Sequence, residues 1–93
     1  MAYIFEWDST KADLNWRKHG VTFHEAKTVF ADTLSLTVPD PDHSGDELRY
    51  LVLGMSDRFR LLVVAFADRP PRTRLISARR ATPRERRVYE EES

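Results

Sequence analysis

The order of apolar and polar positions changes period several times along the chain, and each change marks an element. Residues 3–5 are a short apolar run ending at Glu6, which reads as an edge strand. Asp8 or Ser9 can cap a helix after it, with Trp7 placed to pack back on Ala12. Ala12, Trp16 and His19 then recur at helical spacing, and Gly20 closes that helix as a left-handed cap. Thr22-Phe23-His24-Glu25 has the form of a capping box: the Thr hydroxyl accepts from the backbone three residues on, and Glu25 reaches back. Ala26, Val29 and Phe30 supply the apolar stripe of this second helix, which ends near Asp32.

Beyond Asp32 the period falls to two. Leu34, Leu36 and Val38 alternate with Thr33, Ser35 and Thr37, so residues 33–38 read as a half-buried strand. Residues 39–46 are a loop by composition. Residues 48–55 form a strand, 56–59 a turn, and 60–67 ("RLLVVAFA") a strand apolar on both faces and therefore central. Residues 68–71 turn again, and 72–80 are the last strand. Thr82 as N-cap, Pro83 at the first helical position and Glu85 three residues on begin a final helix running to about Glu91. Short connections make this an α+β fold: a small antiparallel meander with two N-terminal helices on one face, and a C-terminal helix.

Composition narrows the class. The 93 residues suit one domain, residues 1–93, and 41% hydrophobic with 32% charged residues describes a soluble globular chain. The absence of cysteine excludes disulfides and thiolate zinc sites and suits an intracellular, cytoplasmic address. His19, His24 and His43 lack metal-ligand spacing, so no metal site is expected from them. No apolar stretch approaches the roughly 20 residues that cross a bilayer, and residues 1–20 do not read as a signal peptide, so no membrane is expected.

Charge changes the picture more. The net charge is +0, yet residues 1–57 carry five Lys/Arg against ten Asp/Glu, and residues 58–93 carry ten arginines against five Asp/Glu. The run "LISARRATPRERRVYEEE" alone holds Arg79, Arg80, Arg84, Arg86 and Arg87. On an ideal strand Arg72, Arg74, Ile76, Ala78 and Arg80 share one face and Thr73, Leu75, Ser77 and Arg79 the other. The run is either a solvated strand end and helix or a basic face for phosphates, which binds nucleic acid by counterion release.

Residues 5–32 ("FEWDSTKADLNWRKHGVTFHEAKTVFAD") and 75–91 ("LISARRATPRERRVYEE") resemble the BrnT family of toxins, nearly the whole chain in the same order. The resemblance implies a compact RelE-like fold and a ribonuclease that cleaves RNA without metal or cofactor and arrests growth. It also implies a BrnA-type antitoxin with a ribbon-helix-helix part, through which alone the complex reaches operator DNA and represses its own operon. Metal-free cleavage through the 2′-hydroxyl needs a base, cations for the phosphorane, and an acid. His19 is a candidate base or acid and Lys18 a phosphate contact or base, or else both are helix-end residues favoured by the dipole. Arg79 and Arg80 are the expected phosphate contacts. Arg58 and Arg60 would grip the RNA backbone, with Phe59 between them offering a stacking face or else folding into the core. Tyr89 would donate a proton or stack, or else pack on the sheet. Glu85 is expected only to cap, Trp7 and Trp16 to be core, and His24 and His43 to have no role. The rival is a partner- or nucleic-acid-binding module with no catalysis.

Overall fold

The computed structural model describes residues 3–41 and 47–92; His43 and most of the expected loop lie outside them. Five strands form one sheet in the order β1-β5-β4-β3-β2: β1 (Ile4–Glu6), β2 (Leu36–Pro39), β3 (Arg49–Met55), β4 (Leu61–Arg69) and β5 (Arg72–Arg80). β2 to β5 are the expected antiparallel meander with β4 at its centre. β1 is an edge strand, as its length suggested, but it runs parallel to β5 and pairs only with Arg72 to Arg74. A parallel pair needs a crossover of a dozen residues or more. Here the crossover is most of the chain, so the pairing has no local signature.

Two helices follow β1 on one face. Asp8 caps α1 (Ser9–His19), accepting from the N–H groups of Thr10 and Lys11 at 2.8 and 3.1 Å, which holds its carboxyl below the usual range. Gly20 ends the helix at φ 66, as expected, where a side chain would strain the backbone. α2 (Phe23–Ala26) gives way to a 3₁₀ helix (Lys27–Ala31), shorter and tighter than the single helix expected. This segment approaches β3 closely: a Cβ on Gly54 would lie 3.1 to 3.2 Å from atoms of Ser35 and Val29. The core is Val21, Phe23, Ala26 and Val29 from the helices against Val52, Leu62, Val64, Leu75 and Ala78 from the sheet.

Strict alternation fails on β5. Ser77 pairs with Ala65 and Leu75 with Phe66, so Ile76 is bulged out of the ladder. Ala78 and Arg80 therefore share the helix-covered face with Thr73 and Leu75, not with Arg72 and Arg74. Trp16 departs from its expected core position, with 53% of its surface exposed. The buried position of α1 is Asn15 instead.

α3 (Pro83–Glu92) returns across the opposite face. Its start is a complete capping box: Glu85 N–H donates to the Thr82 hydroxyl at 3.2 Å and Thr82 N–H to the Glu85 carboxylate at 2.8 Å. Between this helix and the sheet lies an apolar groove lined by Leu36, Val38, Leu51, Leu53, Val63 and Val88. Val38 and Val88 are exposed there.

Candidate functional site

The short β1 leaves residues 75–80 of β5 without a strand partner on that side. Asn15 fills the gap. Its side-chain amide donates to the Ala78 carbonyl at 2.9 Å and to the Val21 carbonyl at 3.0 Å, and its oxygen accepts from Ala78 N–H at 3.0 Å. One buried amide thus imitates a stretch of neighbouring strand and fixes the last turn of α1 to β5. Sequence reasoning gave Asn15 no role; a polar residue amid the apolar positions of a helix was the available signal.

Lys18 and His19 ride on that anchored turn. They line a groove of about 550 Å³ together with Lys11, Leu14, Asn15 and Ser77. Lys18 is exposed and His19 half-buried. Arg80 lies two residues past Ala78 on the same face of β5 and is exposed. The N-terminal end of β4 completes this end of the sheet. Arg60 donates from Nε to Glu25 at 2.9 Å, pairs through Nη2 with the other Glu25 oxygen, and reaches the Gly20 carbonyl at 3.2 Å. It ties the β3–β4 turn to the residue next to His19.

Glu25 consequently does only half of its expected capping. Its N–H donates to Thr22 at 3.0 Å, but its carboxylate turns inward to Arg60 and to the Ser56 hydroxyl at 2.7 Å. The Arg60 guanidinium, with help from Ser56, outweighs burial and holds this carboxyl below its ordinary value.

The β3–β4 turn is unusually well braced. Ser56 Oγ accepts from Arg58 and Arg60 N–H at 3.2 and 3.3 Å, and Asp57 N–H donates to Thr28 Oγ1 at 2.9 Å. Phe59 N–H donates to the Ser56 carbonyl at 3.0 Å. The brace imposes φ 61 on Phe59, the left-handed region, at a cost of about 1–2 kcal/mol for a residue other than glycine. Phe59 does not fold inward: 87% of its surface is exposed.

The basic groups do not all converge. Arg69, Arg72 and Arg74 surround Glu6 at 3.9, 3.8 and 3.3 Å at the β4–β5 turn, where Arg49 and Arg69 also hold Glu47. That is the other end of the sheet. The bulge at Ile76 turns Arg79 to the α3 side, away from the face that strict alternation assigned it with Leu75, and it is held by Glu85 through two bonds of 2.8 Å. That guanidinium is the main reason the Glu85 carboxyl falls to about 2. Glu85 is thus a cap and an ion-pair partner at once. Among the described residues Lys11, Lys18, Lys27, Arg58, Arg80, Arg84, Arg86 and Arg87 have no ion pair.

Tyr89 packs on the sheet and is 8% exposed. Its hydroxyl donates to Asp32 at 2.6 Å, and this bond, with burial, pushes the phenol up to about 12. Its proton is therefore committed to Asp32. Burial of Asp32 works against its charge, yet Met55 N–H, the Tyr89 hydroxyl and Leu34 N–H together hold its carboxyl low. Among the described residues no three His, Asp or Glu side chains gather as a metal site would require.

Lys11, Lys18 and His19 share the groove, whereas Arg80 does not line it and lies further along β5. Residues 7–85 match a family model described as ribonuclease toxin, BrnT, of type II toxin-antitoxin system. Among solved structures the chain is similar to the Brucella abortus ribonuclease toxin, BrnT, with 20% identity, 87% of this chain and 99% of that chain covered, and a TM-score of 0.68. That likeness is one of fold. No curated protein matches the chain.

Proposed function

The chain belongs to the BrnT family, the ribonuclease toxins of type II toxin–antitoxin systems, and from that premise we propose that it cleaves RNA without a metal at the end of the sheet where α1 meets β5. The observation that carries the reading is the Asn15 anchor, which sets Lys18 and His19 against the strand that carries Arg80. The 2′-hydroxyl attacks the adjacent phosphorus, forming the O2′–P bond and breaking P–O5′. His19 and Lys18 divide the two proton transfers, from the 2′-hydroxyl and to the departing 5′-oxygen. Arg80 and Arg58, without an ion pair among the described residues, stabilise the charge on the phosphorane. Arg60 and Arg79 act through position: one ties the β3–β4 turn to α1, the other fixes the start of α3. Tyr89 serves the fold and not the RNA.

The family's antitoxin partner is of the BrnA type in this proposal, and its ribbon-helix-helix part takes the complex to operator DNA. The exposed apolar groove beside α3 supports a protein partner, since apolar patches of this kind mark interaction surfaces. The toxin acts in the cytoplasm, where its RNA is.

The test is incubation of the purified protein with naked RNA in EDTA. Cleavage leaving 2′,3′-cyclic phosphate and 5′-hydroxyl ends is expected, reduced about 10²–10³-fold in a folded Arg80→Ala variant. A requirement for magnesium, or 5′-phosphate ends, would defeat the mechanism. Undiminished growth arrest by Lys18→Ala and His19→Ala variants would favour the non-catalytic binding module.

A further inference from the structure

Phe59 combines three features that folding alone does not explain. The residue is 87% exposed, its backbone is left-handed at φ 61, and it stands between Arg58 and Arg60. Glycine or asparagine would suit this corner of the hairpin better on both counts. The strain persists because Ser56, Thr28 and Glu25 over-determine the turn, through the Arg58, Arg60 and Asp57 N–H bonds and the Ser56–Glu25 bond at 2.7 Å. The braced backbone fixes where the ring emerges into solvent, so less of the turn has to be ordered when a flat ligand stacks on it. The Arg60 bond to the Gly20 carbonyl places the turn beside the segment carrying His19. Arg58, without an ion pair among the described residues, offers a phosphate contact one residue away.

We infer that Phe59 is a stacking platform for an unpaired nucleobase of the RNA strand, adjoining the cleavage site. The inference rests on the RNA reading above and adds a requirement to it: the strand must be single-stranded at this point, because only an unpaired base offers its face. Selection of unpaired over duplex RNA follows.

The experiment is a titration of 2′-O-methyl single-stranded RNA carrying 2-aminopurine, followed by fluorescence and by anisotropy of an end label. The wild-type protein is expected to bind and to quench the 2-aminopurine. Phe59→Trp should bind comparably. Phe59→Gly should bind about 5- to 100-fold more weakly and lose the quenching, while its thermal unfolding temperature rises because glycine accepts the backbone. Phe59→Asn, which also tolerates this conformation, is the second variant and should behave likewise.

Undiminished binding and quenching by folded Phe59→Gly would overturn the stacking role while leaving the RNA reading intact. So would a loss of antitoxin affinity with RNA affinity unchanged, which would assign the ring to the partner. If the wild-type protein does not bind RNA, both readings fall together.

Discussion

Replacing Asn15 by alanine orphans three backbone groups at once: the N–H and carbonyl of Ala78 and the carbonyl of Val21, bonded now at 2.9 to 3.0 Å. Ala78 and Val21 are both 0% exposed, so water does not reach these groups in the intact fold. Each buried orphan costs about 1–3 kcal/mol, and three sharing one small site come to roughly 3–6 kcal/mol. A chain of this size has on the order of 5–14 kcal/mol in all. With urea slopes of about 1–3 kcal/mol per molar, the unfolding midpoint should fall by about 1 M or more with the slope unchanged. Asn15→Asp should also be strongly destabilised, since a carboxylate would face the two carbonyls in place of the donor. RNA cleavage should drop further than the folded fraction accounts for, because the turn carrying Lys18 and His19 loses its fastening to β5. A midpoint shift below about 0.3 M in Asn15→Ala would mean that solvent satisfies the open edge of β5 and that Asn15 is not its fastening.

Other changes separate fold from chemistry. Tyr89→Phe removes the hydroxyl bond to Asp32 and should cost about 1–2 kcal/mol in denaturant unfolding with RNA cleavage unchanged; a large loss of cleavage in the folded variant would return Tyr89 to the site. Glu85, held at about 2 against an ordinary 4.5, contributes stability that is complete above pH 4.5 and lost as the pH falls towards 2. Glu85→Gln should therefore be less stable than the parent at pH 7, with the gap closing through that window in urea titrations; a constant gap would contradict the Arg79–Glu85 assignment. Gly54→Ala should lower the thermal midpoint, because its Cβ would press on Val29 and Ser35 at 3.1 to 3.2 Å. An unchanged midpoint would show that the 3₁₀ segment can retreat.

Short-range chemistry was the readable part of this chain. The Thr82-Pro83-Glu85 start of α3, the left-handed cap at Gly20 and the meander all follow from neighbouring residues, and all appear as expected. What escaped was set by distant pairing. β1 finds its partner nearly seventy residues away, Arg74 beside Glu6. The bulge at Ile76 then moves Ala78 and Arg80 to the other face from the one that alternation assigns. Glu25 was legible as a cap, yet a guanidinium brought from β4 is a stronger partner for a carboxylate than a single backbone N–H.

The candidate site divides in the same way. The Arg-rich run was visible as charge, but charge along a sequence does not say which guanidinium has a carboxylate opposite. Among the described residues Glu85, Glu25, Glu6 and Glu47 claim Arg79, Arg60, Arg69, Arg72, Arg74 and Arg49, and leave Arg58 and Arg80 without an ion pair. Tyr89 read as amphipathic and could face either way until Asp32 fixed it.

The most direct measurement is an NMR titration of the protein with an uncleavable 2′-O-methyl RNA, following backbone amides. The largest shifts are expected at residues 17–20, 57–60 and 78–81, with little change at the β4–β5 turn. Shifts concentrated instead around Arg69, Arg72 and Arg74 would contradict this expectation, placing the RNA at the opposite end of the sheet from Lys18 and His19.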